Sequence, residues 1–268
     1  MLASQHSYDV PGSSGQINAM SSESQMLMRE QPDQEALDQL LRRIREAPII
    51  AQPSPNIYFE KALPEALYQE LLSALPEDDE LDFIEHPDAY APDGRRTRKL
   101  LALTDDFVER FHPTRRMMWR RLSALFTAPQ LIHAIVEKFR GTLDIAYPDG
   151  LPDLVMVPIF YRDFPGYRIS IHPDAVSKVA TLQLYLPTDA AQRHLGTSFH
   201  RRTESGFEEL ATNPFMPNSG YAFARTNESW HSVKEIGAGE RARNSIALTL
   251  YVKGKEFHSP PAGNRQER

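Results

Sequence analysis

The sequence predicts an α+β protein, with a helical N-terminal region leading into an all-β part that forms a two-sheet jelly roll or barrel. Two observations carry this expectation. Up to about residue 150, leucines and isoleucines recur at the spacing of one helical face. From about Leu154 the chain breaks into short runs of Val, Ile, Leu, Tyr and Phe, each bounded by Pro, Gly, Asn or Asp. At 268 residues and 41% hydrophobic content, the chain can bury one substantial core.

Taken in order, residues 4–31 are rich in Ser, Gln and Gly and too polar to order on their own. Pro32-Asp33 then opens a helix expected to run to about Glu46, with Leu37, Leu40, Leu41 and Ile44 on one face. Pro53 and Pro55 interrupt the chain before a short strand at Ile57-Tyr58-Phe59. Pro64 opens a second helix carrying Leu67, Leu71 and Leu75, and Pro76 stops it. The acidic residues 77–80 and the loop 86–96 are expected at the surface. Met118, Leu122, Leu125 and Phe126 mark a third helix, and Leu131, Ile132, Ile135, Val136 and Phe139 a fourth. Seven strands are expected at 154–161, 167–172, 179–186, 197–201, 221–225, 230–233 and 244–252. The resulting division is a polar arm over 1–32, a helical region over 33–150 packing on the core, the β core over 151–255 and a tail over 256–268.

A net charge of −6 gives no footprint for gripping a phosphate backbone, so no nucleic-acid partner is expected. The absence of cysteine excludes disulfides, thiolate metal sites and a cysteine nucleophile, leaving His, Asp, Glu or backbone oxygen to hold any metal. No signal-like N-terminal segment and no long apolar run is present, so a cytoplasmic protein with no membrane partner is expected. The basic residues 95–99 and the pairs Arg115-Arg116 and Arg120-Arg121 read as solvated faces.

The chemistry is concentrated in His172-Pro173-Asp174, His231 and Arg243-Asn244-Ser245. Two imidazoles and one carboxylate are the donor set that holds a non-haem Fe(II) on one face and leaves the opposite positions open. His172 and Asp174 end an alternating run, so in an extended segment both project to one side. The same tripeptide at His86-Pro87-Asp88 follows no strand and reads as a surface turn. Arg243 and Ser245 share a strand face and can share one carboxylate; Arg241 has the same parity and is the alternative if the strand starts earlier. His194 and His200 are either substrate contacts, alternative ligands or polar loop residues, and Arg225 and Asn227 are candidates for the substrate side.

Over roughly residues 158–252 this pattern resembles the Fe(II)/2-oxoglutarate-dependent oxygenases, and within them the branch similar to prolyl hydroxylases. There a tyrosine precedes a glycine-containing turn leading into His-x-Asp, matched by Tyr161, Gly166-Tyr167 and His172. A following strand ends in a Tyr-Leu pair, matched by Tyr185-Leu186. The resemblance implies a double-stranded β-helix (jelly roll) core, with His172, Asp174 and His231 as metal ligands and catalytic residues. Arg243 and Ser245 would hold the distal carboxylate of 2-oxoglutarate, with the hydroxyls of Tyr161 and Tyr185 nearby and Thr181 and Gln183 on the same strand face as Tyr185. The double-glycine turn frequent in that branch is here Leu195-Gly196-Thr197, a departure at the mouth of the pocket.

The implied cofactors are Fe(II), 2-oxoglutarate as co-substrate and O2. The implied reaction is hydroxylation of a C–H bond with release of succinate and CO2. With Asp174 present, no ligand position is vacated for a halide as in the related halogenases. A small metabolite or biosynthetic intermediate is the expected substrate. A peptidyl hydroxylase and a non-enzymatic jelly-roll binding module are the alternatives.

Overall fold

The computed structural model describes residues 32–104, 108–109 and 111–256; most of the polar arm and the C-terminal tail lie outside them. Five α-helices and eleven strands are formed by these residues. The helices are α1 (Gln34–Glu46), α2 (Glu65–Ser73), α3 (Pro113–Phe126), α4 (Pro129–Lys138) and α5 (Arg140–Ala146). The first begins as its sequence requires, with the Asp33 side chain accepting from Ala36 N at 3.1 Å. Proline occupies the first position of α3 and α4, where its missing N–H costs no intrahelical bond. α2 ends earlier than the leucine spacing implies and leaves Leu75 outside. The Ala74 N–H closes the last turn on Glu70 and Leu71, and Leu75, preceding Pro76, is disfavoured in helical geometry.

The strands are β1 (Asn56–Glu60), β2 (Asp82–Phe83), β3 (Arg98–Ala102), β4 (Leu154–Asp163), β5 (Ile169–His172), β6 (Lys178–Tyr185), β7 (Thr197–Thr203), β8 (Gly206–Asn213), β9 (Ser219–Ala224), β10 (Trp230–Val233) and β11 (Arg243–Val252). They form a seven-stranded sheet in the order β1-β9-β6-β11-β4-β3-β2 and a four-stranded sheet in the order β5-β10-β7-β8. Every pairing is antiparallel. Four of them are nested: β7 with β8, β6 with β9, β5 with β10 and β4 with β11. Strands distant in sequence therefore become neighbours.

The central strands are buried on both faces because each face has its own covering. Along β6, β9 and β11 the even-numbered residues, among them Leu182, Leu184, Ala222, Ile246 and Leu248, join one core with the helices. The odd-numbered face carries Tyr185, Tyr221 and Phe223, which pack with Phe199 and Val233 of the smaller sheet. The polar residues Thr181, Gln183, Arg243, Ser245 and Thr249 share that parity and are buried. A helix-facing apolar side and a sheet-facing polar side thus alternate within the same strands.

Three strands were not foreseen. β8 exposes most of its residues at a sheet edge and shows no apolar alternation. β2 is only two residues long. β3 lies in the basic run read as a solvated face, and here the reading is corrected: the Arg98 side chain is 16% exposed and bound to the fully buried Asp163. Among the described residues, no helix is long and apolar enough to cross a membrane.

Candidate metal centre and adjoining anion pocket

His172 and His231 meet because β5 and β10 pair with these two residues opposite each other, which brings their ring centroids to 4.4 Å. Asp174 follows β5 by two residues and turns back to the same place. One ligand atom from each of His172, Asp174 and His231 falls within 4.8 Å of the others. Asp174 and His231 are buried, whereas His172 is half-buried.

The local chemistry prepares all three for a cation. His172 Nδ1 lies 2.8 Å from Ser170 O and His231 Nδ1 lies 2.9 Å from Ser229 O. A carbonyl can only accept, so Nδ1 carries a proton in each ring and Nε2 is the nitrogen left to meet a metal. Burial lowers the His231 imidazole to a pKa of about 4, so it is neutral near pH 7. For Asp174, burial opposes ionisation, but the Lys178 ammonium and further partners outweigh it and hold the carboxyl at about 2. Lys178 Nζ stands 2.6 Å from Asp174 Oδ1, and Thr181 Oγ1 donates to Oδ2 at 2.8 Å. A carboxylate has lone pairs for both donors and a metal. Two imidazoles that turn Nε2 away from their backbone partners and one ionised carboxylate fit a mononuclear Fe(II).

A cavity of about 100 Å³ adjoins the three ligands, and its wall includes Arg243, Tyr167 and Tyr161. The strand register builds its cationic end. Asp163 on β4 is directly opposite Arg98 on β3 and Arg243 on β11. Asp163 accepts from Arg98 Nε at 2.6 Å, Arg98 Nη2 at 3.0 Å and Arg243 Nη1 at 2.9 Å. Arg243 Nε donates to Leu195 O at 2.9 Å, so its guanidinium is fixed at two corners. The third corner, Nη2, is buried with no hydrogen-bond partner among the described residues. Two guanidiniums share one carboxylate, leaving one positive charge unbalanced inside the protein, a costly arrangement unless an anion completes it.

The other expected site residues fall in different surroundings. Ser245 Oγ accepts from Gln183 Nε2 at 2.8 Å, and Gln183 Oε1 accepts from Tyr221 at 2.6 Å. Tyr185 donates to Thr197 Oγ1 and accepts from Thr197 N, both at 2.9 Å. Ser245 and Tyr185 do not line the cavity beside the metal ligands. Tyr161 lines it and also the larger chamber of about 520 Å³ outside, its ring against the Arg98 guanidinium at 4.4 Å. His200 bonds to Ser232, His194 pairs with Glu240, and Arg241 pairs with Asp189. Arg225 Nε donates to the Asp174 carbonyl at 3.2 Å. His86 is exposed, in keeping with a surface turn, yet it and Asp88 form part of the outer chamber's wall.

Reasoning from sequence missed Arg98, Asp163, Tyr167 and Lys178. The parity of Asp163 with Tyr161 on β4 was available as a signal; the pairing of β3 with β4 was not. Lys178, four residues after Asp174, is the nearest to a readable one.

No family model matches this chain, and no curated protein matches it. Solved structures that resemble it include a Pseudomonas putida prolyl-4-hydroxylase, 16% identical with a TM-score of 0.43 over 81% of this chain and 100% of that one. A Trichoplax adhaerens prolyl hydroxylase in complex with a hypoxia-inducible-factor peptide fragment is 11% identical, with a TM-score of 0.44 over 87% and 94%. HygX from Streptomyces hygroscopicus, with nickel, 2-oxoglutarate and hygromycin B bound, is 11% identical, with a TM-score of 0.45 over 74% and 83%. At such identities and TM-scores none of them assigns a substrate or a residue role to this chain.

Proposed function

We propose that this protein is a mononuclear Fe(II)- and 2-oxoglutarate-dependent oxygenase that hydroxylates a C–H bond of a small molecule. The observation that carries the reading is the convergence of His172, Asp174 and His231 on one cavity that also holds the unpartnered Nη2 of Arg243. We read the nested pairing of the two sheets as a double-stranded β-helix, a fold that sets ligands and anchor on facing strands.

In this reading His172, Asp174 and His231 hold Fe(II). Bound there, Fe(II) would supply, with 2-oxoglutarate and O2, the oxidative chemistry that converts C–H to C–OH with succinate and CO2 as co-products. The polypeptide supplies placement. Arg243 Nη2, held rigid by Asp163 and Leu195 O, takes the distal carboxylate and fixes the direction of the co-substrate. Thr181 and Lys178 orient the Asp174 carboxylate. Tyr161, Tyr185 and Ser245 belong to the surrounding wall and network, with Tyr185 and Ser245 stiffening the strands that carry the anchor. The chamber of about 520 Å³ outside the metal ligands has the size of a small-molecule site, which favours a metabolite or biosynthetic intermediate as substrate.

Anaerobic titration with Fe(II) and then 2-oxoglutarate tests the reading. We expect a visible absorption band that needs both additions, and succinate formation once O2 is admitted. A protein whose spectrum and melting temperature respond to neither is a binding module instead.

A further inference from the structure

Tyr167 lines the same cavity as Arg243 and carries a second unpartnered polar atom. It is 1% exposed, lines the cavity beside the metal ligands, and its hydroxyl has no hydrogen-bond partner among the described residues. A buried hydroxyl without a partner destabilises the fold, because the hydrogen bonds it made to water are not replaced. Such a group is expected where a ligand takes it up.

The ring is packed in the core between the sheets. Its backbone is tied on both sides, Tyr167 N to Phe164 O at 2.9 Å and Ile236 N to Tyr167 O at 2.9 Å. The Arg98 guanidinium sits 4.1 Å from the ring centroid and is itself clamped to Asp163. Asp163 is also the carboxylate that fixes Arg243, so a single buried anion sets the positions of the cation over Tyr167 and of the cation at the end of the cavity. Burial pushes the Tyr167 phenol above its ordinary pKa, which keeps it a proton donor near pH 7. Tyr185 is also buried, with the Arg243 guanidinium 5.2 Å from its ring centroid, but its hydroxyl is engaged with Thr197 and it does not line the cavity.

We propose that Tyr167 is a co-substrate-binding residue whose hydroxyl donates to the same distal carboxylate that Arg243 Nη2 binds. The proposal rests on the oxygenase reading and adds to it a second donor on that carboxylate, a place that the sequence resemblance gave to Ser245. The pair would give the anchor a charge and a direction together.

The test is Tyr167→Phe, with wild type and variant loaded anaerobically with Mn(II) and titrated with 2-oxoglutarate by calorimetry. The substitution removes only an unpartnered hydroxyl, so the metal-free melting temperature should stay level or rise and Mn(II) affinity should hold. Affinity for 2-oxoglutarate should fall roughly 10- to 100-fold, as for loss of a hydrogen bond to a charged acceptor. 2-Oxobutyrate, which lacks the distal carboxylate, should bind both proteins alike. Unchanged 2-oxoglutarate affinity, an equal loss for 2-oxobutyrate, or a clearly lower metal-free melting temperature each overturns the role of Tyr167 while leaving the oxygenase reading standing. Mn(II)-loaded wild type that binds no 2-oxoglutarate overturns the reading and the proposal together.

Discussion

Asp163 and Arg243 stand opposite each other on β4 and β11, both fully buried, with 2.9 Å between Asp163 Oδ2 and Arg243 Nη1. Arg98 holds the other side of the same carboxylate. Asp163→Asn should therefore destabilise the fold by about 3–5 kcal/mol, because it strands two guanidiniums without a counter-charge. Urea unfolding measures this, and a loss under about 1 kcal/mol would mean that water already screens the group.

His231→Ala should abolish metal binding and turnover. In wild type, a metal at a hundred times its dissociation constant should stabilise the fold by about 2.7 kcal/mol. A thermal-shift series with Mn(II) reads the difference. A variant still stabilised like wild type would remove His231 from the ligand set.

Thr181→Val keeps the shape of the side chain and deletes the donor to Asp174 Oδ2. Metal affinity should fall about 10- to 100-fold, the usual effect of losing a partner that orients a ligand. Equal affinity in a direct metal titration would leave Lys178 alone in charge of that carboxylate.

Gly196→Ala should damage the anchor without touching it. A Cβ at this position would lie 1.7 Å from the Asn213 carbonyl oxygen, which is backbone and cannot swing aside. The preceding residue, Leu195, supplies the carbonyl that holds Arg243 Nε. We expect about 1–3 kcal/mol of destabilisation, together with weaker 2-oxoglutarate binding at unchanged metal affinity. Wild-type stability in chemical denaturation would show that the β7–β8 region gives way freely.

Four of the five described helices were legible because their signals are local: Asp33 caps its own helix, and leucines mark the faces that end up buried; α5 was not foreseen. The strands around the site were legible from alternation, and residue chemistry singled out His172, Asp174 and His231, the three side chains that the structure brings together. Arg98 was not legible. Nothing near it in sequence distinguishes it from Arg95 or Arg96, which are exposed; its burial follows from the register of β3 on β4. The surroundings of Tyr161, Tyr167 and Tyr185 were not legible for a related reason. Which phenol is left without a partner depends on Thr197, brought across from another strand.

Because β3 covers the edge of β4 and delivers Arg98 to Asp163, the N-terminal half is woven into the chemistry it surrounds. A fragment cut to begin at Leu154 would bare a row of β4 amides and carbonyls for another chain to pair with. It would also leave the Tyr167 ring uncovered. Shortening this protein to its β core would therefore remodel the pocket as well as expose a sticky margin, so the smallest working unit must reach back at least to Arg98.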